Sequence, residues 1–160
     1  MNNSDLSNSL AKMEPGKLPL EIFNQVARLT VVPVIEVVPF YTENGVTKVY
    51  LLQRPISDEL WAGKYHVPGS IILPGDASGS FSDVVDRIKK TKFSEFDCGD
   101  EMFIGNFLCA VERGTEVAMV FSVDLKNKPQ NNLFDYKDLP SSIINGQREF
   151  IEAAFEVKYI

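Results

Sequence analysis

Residues 60–93 read LWAGKYHVPGSIILPGDASGSFSDVVDRIKKTKF, and this stretch decides the fold. It holds the only tryptophan, Trp61, and the only histidine, His66, followed by two Pro-Gly steps at Pro68-Gly69 and Pro74-Gly75. A Ser/Gly link then leads into a segment in which Phe81, Val84, Val85 and Ile88 recur at i, i+3, i+4 and i+7, the spacing of a helix with one buried face. Ser80, with Asp83 three residues on, has the form of a capping box. Asp83 and Asp86 early and Lys89, Lys90 and Lys92 late suit the helix dipole, which gives those charges a structural explanation. A strand or tight loop that enters a helix through glycines brings backbone N–H groups up to phosphate. Gly69 and Gly75 flank the segment that any such ligand must pass. If either has φ > 0, replacing it with Val costs on the order of 1–3 kcal/mol.

The order Leu51-Leu52-Gln53-Arg54-Pro55, Trp61 to Gly69, Gly75-Asp76 and helix resembles the Nudix hydrolase superfamily, whose members split a nucleoside diphosphate from a linked group. The family motif is G-x5-E-x7-R-E-U-x-E-E-x-G-U, with U apolar. Ser70, beside Gly69, stands at the first glycine and Asp76 at the first glutamate. Three extra residues in the link place Arg87 at the arginine, and Ile88, Thr91 and Lys92 then fill the three glutamate positions. A shorter link instead puts Asp83 and Asp86 at two acidic positions, with Ser82 at the arginine.

The resemblance implies an α/β fold, the α/β/α sandwich with a mixed sheet, over nearly the whole chain. It implies Mg²⁺ held by carboxylates, here Asp76 with Asp83 and Asp86, because the metal neutralises the diphosphate and helps activate water. Asp76 and Glu112, an acid outside the box, are the catalytic candidates. Arg54, Trp61, Tyr65, His66, Gly69 and Arg87 are the substrate-binding candidates. An arginine fork suits phosphate and an aromatic ring suits a base, although Arg54 also reads as a solvated loop charge and the two rings as core. With lysines in the last turn, hydrolysis should be weak or absent. Three readings stay open: a Mg²⁺-dependent hydrolase, a nonhydrolytic nucleotide or ADP-ribose binding module, and a protein-interaction scaffold.

Working outward, residues 1–17 are small and polar and read as a loose arm, leaving 18–160 as one domain. Residues 19–29 have helical apolar spacing. Residues 30–41 are β-branched and interrupted by Pro33 and Pro39, which predicts an open side or a bulge. A turn at Glu43-Asn44-Gly45 returns the chain through residues 46–53. Two more strands lie on either side of Arg113-Gly114, and a final helix runs from beyond Pro140 to near Tyr159, its stripe including Ile143, Ile144, Phe150 and Ile151.

Of 160 residues, 44% are hydrophobic and 24% charged, which is ordinary for a globular domain. A net charge of −6 argues against a nucleic-acid partner but not against a small nucleotide or nucleotide sugar met by local arginines. No apolar run is long enough for a membrane span, and the polar start is no signal peptide, so a cytoplasmic protein is expected. A homodimer is compatible with the sequence. Cys98 and Cys109 lack metal-ligand spacing and are expected to be free thiols.

Overall fold

The first long strand sets the architecture. In the computed structural model, which describes residues 2–160, β1 (Val31–Glu43) runs through the middle of the main sheet. Its side chains alternate between faces. Val32, Val34, Val38 and Phe40 enter one core cluster, while Ile35 and Val37 enter the other. Helices α2 (Leu20–Leu29) and α4 (Gln147–Tyr159) cover the first face, and α3 (Phe81–Lys92) covers the second. The result is the expected α/β/α sandwich.

The remaining strands are β2 (Val46–Tyr50), β3 (Leu52–Gln53), β4 (Tyr65–His66), β5 (Gly69–Ile71), β6 (Met102–Val111), β7 (Gly114–Asp124) and β8 (Leu133–Asp135). The main sheet has the order β6-β7-β1-β2-β8, with β5 also paired to β1, and β3 and β4 form a separate ribbon. The sheet is mixed: β1 is parallel to β7 and antiparallel to β2 and β5.

Pro33 and Pro39 do not put β1 at an edge. Its N–H groups alternate in direction, and that of Val37, with the same parity as both prolines, donates to the Pro68 carbonyl on the β5 side. Both missing donors therefore face the side where β5 pairs only residues 34–36 and β2 only residues 40–43, and the parallel ladder to β7 stays unbroken. The open side predicted from the prolines is this change of partner.

Two boundaries differ from expectation. Residues 46–53 are not one strand: the Leu51 N–H bonds the Asn132 carbonyl, after which Leu52 and Gln53 pair with β4. The last helix begins only at Gln147, because Ser142 and Ile144 exchange backbone hydrogen bonds with Tyr65 and Gly146 has a left-handed φ of 84°. Ile143 and Ile144 are buried or half-buried, but by a β-bridge rather than a helix. Within 1–17, Asn3–Leu10 forms α1, capped by Asn2 and Asp5 and burying none of its residues. Cys98 and Cys109 are both free.

Candidate functional site

The segment from β5 to α3 is tied together by one side chain. Arg87 donates to the Ser70 hydroxyl (2.9 Å), the Ile71 carbonyl (3.3 Å) and Asp76 Oδ2 (2.8 Å). The same Asp76 oxygen accepts the Leu73 N–H at 2.7 Å. Asp76 thus holds the loop Pro74–Ser78 against the helix, a charge-assisted role. Asp83 caps α3 through Ser80, and Asp86 pairs with Lys89, which also reaches Glu101. Ile88 is fully buried in the core beneath α3, and the Thr91 hydroxyl donates to the Arg87 carbonyl.

The sequence expectation of Mg²⁺ at Asp76, Asp83 and Asp86 meets three separately engaged acids. Among the described residues no group of three His, Cys, Asp or Glu side chains converges. A divalent cation needs several anionic oxygens around one point. The box offers an ion-paired aspartate, a capping aspartate, a buried isoleucine and a lysine. These donors do not fit the metal.

A different set of groups does converge. Arg54 follows β3, and its backbone N–H bonds the Lys64 carbonyl, which fixes where the strand ends. Arg113 sits in the β6–β7 turn. Each guanidinium carbon lies 5.3 Å from the centroid of the Trp61 ring. Trp61 is only 6% exposed and donates its indole N–H to Glu112 Oε2 at 2.6 Å, while Lys64 reaches the other Glu112 oxygen at 3.2 Å. Burial works against ionisation there, but the bonds from Trp61 and Lys64 hold the Glu112 carboxyl below its ordinary range. Trp61 is therefore a support for two cations, with little ring left for a base. Arg54, Trp61 and Arg113, with Leu20 and Asn24 of α2 and Asp58 and Glu59 of the loop, line a cleft of about 240 Å³. Sequence reasoning found Arg54 and Trp61 but read Arg113 only as a turn residue. The available signal was an arginine directly after the candidate Glu112.

Behind the cleft lies Glu36, which sequence reasoning also missed although it is the one acid in the run VVPVIEVVPF. It is 9% exposed, Gln147 Nε2 approaches its Oε1 at 3.4 Å, and its Oε2 has no partner. Burial first, then the nearby Glu116, push its pKa up to about 8, against the opposing influence of Gln147, Arg54 and Arg113. Glu116 is itself paired with Arg113. Gly69 abuts Glu36: a Cβ there would lie 2.1 Å from Oε2. Neither Gly69 nor Gly75 has a positive φ, so the constraint at Gly69 is space rather than backbone conformation. His66 contacts the Val67 carbonyl through Nδ1 at 2.7 Å, and burial, then Arg54, lower its pKa to about 4. Tyr65 packs edge-on against Phe134 (5.0 Å) at the rim of the core.

No protein-family model matches the sequence, and no curated protein matches it either. Solved structures do. The Nudix domain of Shewanella oneidensis NrtR, complexed with ADP ribose, superposes with a TM-score of 0.64 over 98% of this chain and 99% of that one, at 18% identity. A Nudix hydrolase from Nitrosomonas europaea gives 0.59 over 81% and 91%, at 14% identity. This chain has the Nudix fold. Within that fold, Arg87, Ser70 and Asp76 tie the segment between β5 and α3, and Arg54 and Arg113 line a cleft elsewhere on the domain. Shewanella oneidensis NrtR complexed with a 27mer DNA also matches, with a TM-score of 0.59 at 18% identity over 78% of this chain, which spans 60% of that chain. The expectation of no nucleic-acid partner accordingly rests on net charge alone. Among the described residues no helix is long and apolar enough to cross a membrane.

Proposed function

We propose that this protein binds a nucleoside diphosphate derivative, ADP-ribose or a nucleotide sugar, in the cleft between Arg54 and Arg113, and that it does so without a metal held by the Nudix box. The observation that supports this reading is the convergence of two guanidinium groups on one small cleft, while the box carboxylates are engaged one by one elsewhere. Arg54 lies 3.6 Å from Asp58 and Arg113 is paired with Glu116, so a diphosphate would share or displace these carboxylates, an exchange for which two forked guanidinium groups beside one indole are suited. Weak or absent hydrolysis follows from the same donor set, because nothing in the box gathers the oxygens that Mg²⁺ needs. The ADP-ribose bound by the NrtR domain of like fold makes that molecule the first ligand to try.

Calorimetric titration with ADP-ribose and nucleoside diphosphates, in Mg²⁺ and in excess chelator, tests the reading. The expected result is the same affinity in both buffers, with no product released. Arg113→Ala should weaken binding by at least about tenfold, since a hydrogen bond to a charged group contributes roughly 1.5–3 kcal/mol. Binding that disappears in chelator, or turnover that Asp76→Asn abolishes, would overturn the reading in favour of a metal-dependent hydrolase. Trp61 is the only tryptophan, so its fluorescence reports ligand arriving at the flanking arginines.

A further inference from the structure

A second, larger cavity adjoins the arginine cleft and differs from it in chemistry. It measures about 410 Å³ and lies between α2, the start of β1 and residues 71–74. That volume falls within the range of small-molecule sites, roughly 300–1,000 Å³. Among the described residues that line it, only Thr30 has a polar side chain, and its hydroxyl donates to the Val26 carbonyl at 3.0 Å. Backbone donors around it are engaged as well. The Phe23 N–H bonds Pro19, the Ile72 N–H bonds Pro33 and the Leu73 N–H bonds Asp76. Residues 16–18 close one side, where a Cβ on Gly16 would lie 3.4 Å from the Pro74 ring. Even so, Leu20 is 59% exposed, Val31 53% and Val26 37%. Apolar surface left open in one depression marks a site for an apolar group.

The two cavities meet at α2. Leu20 lines both of them. Phe23, one turn further on, lines the apolar one, and the Arg113 guanidinium carbon stands 5.5 Å from its ring centroid. A molecule held by Arg113 at its anionic end therefore has an apolar trough beside it. Resting on the reading that Arg54 and Arg113 meet a diphosphate, we propose that the group linked to that diphosphate carries an aliphatic chain, seated between α2 and residues 71–74. A base or a sugar does not suit the trough, because its polar edges would lose water and gain no partner. ADP-ribose would leave it empty. A hydrocarbon has no polar edge to lose, and the two arginines supply the complementary charge that fixes the anionic end. At about 30 Å³ for each methylene-sized unit, taken as that of a water, the trough holds on the order of a dozen carbons.

Calorimetry of the full chain with the methyl, hexyl and decyl esters of ADP, each below its micelle-forming concentration, tests this. Each methylene that becomes fully buried should tighten binding by up to about fourfold. Ordering the chain offsets part of that gain, so the decyl ester should bind at least about tenfold more tightly than the methyl ester. Val26→Gln combined with Val31→Gln should remove most of this advantage and leave the methyl ester unchanged, which also shows that the variant folds. Val157→Gln, at a 56% exposed site on α4, should preserve the advantage. Arg113→Ala should weaken all three esters alike, because they share the head that it holds. Equal affinity for the three esters overturns the proposal and leaves the trough to an apolar side chain of a protein partner. An advantage that survives Val26→Gln with Val31→Gln, or a decyl ester indifferent to Arg113→Ala, overturns it equally. If no ester binds, the diphosphate reading itself fails, and the proposal falls with it.

Discussion

Gly114→Ala is expected to destabilise the protein by about 3 kcal/mol or more, through backbone strain and overpacking together. Gly114 has a φ of 144°, and a Cβ there would lie 2.5 Å from the Ala27 carbonyl oxygen, 3.1 Å from its carbon and 3.2 Å from the Arg28 Cα. All three are backbone atoms of α2, so no side chain can swing aside. Gly45→Ala is the control: its φ is 76°, but nothing lies within 4 Å, and only the conformational cost of about 1 kcal/mol remains. Denaturant unfolding of both variants measures the difference. If Gly114→Ala costs no more than Gly45→Ala, α2 does not seat on the β6–β7 turn as described. The same contact positions Leu20 and Asn24 at the cleft, so a destabilised variant that still folds should also lose ligand affinity.

Glu36 should make stability fall as pH rises. Its folded pKa of about 8 lies above its ordinary 4.5, so the native state holds a proton that the unfolded chain has released. The stabilising contribution is complete below about pH 4.5 and is lost as pH climbs through about 8. By pH 7 the loss is on the order of 3 kcal/mol, at about 1.4 kcal/mol per unit. Glu36→Gln keeps the shape and the contact to Gln147 without the proton, so it should flatten this slope and leave the variant more stable than the parent at pH 7 to 8. Urea midpoints across pH 4 to 9 read it directly. A parent and variant with parallel profiles would show that Glu36 ionises freely. Gly69→Ala should be severely destabilising in the parent, its Cβ being 2.1 Å from the Glu36 carboxyl, and partly rescued by Glu36→Ala.

The sequence carried local information well and convergence poorly. The capping box of Ser80 and Asp83 was readable because both partners sit within one turn, and α3 begins where it predicts. The apolar spacing of Ile143 and Ile144 looked helical, yet their burial comes from pairing with Tyr65 across the fold. Spacing alone cannot distinguish those two ways of hiding an isoleucine. Arg113 joins Arg54 only because β7 delivers the β6–β7 turn to Trp61, a fact of tertiary packing. Glu36 drew no reading at all, since a lone acid in a β-branched run carries no spacing signal. Its confinement depends on Gly69, Gln147 and Glu116, which come from three distant segments.

The parallel ladder between β1 and β7 has a kinetic meaning. The β1–β2 and β6–β7 hairpins pair neighbours in the chain and close short loops, steps that take on the order of microseconds. The ladder that joins them sets Val31 against Thr115 and Phe40 against Asp124, across about half of the sequence. It must absorb the entropy of a long closure before any of its contacts reward it. Until then each hairpin shows one flank of bare apolar strand, and because β1 and β7 both supply residues to both core clusters, neither core is complete ahead of that seam. Substitutions on the β1–β7 seam are therefore expected to lower the refolding rate more than substitutions of equal cost in either hairpin turn, which stopped-flow refolding measures.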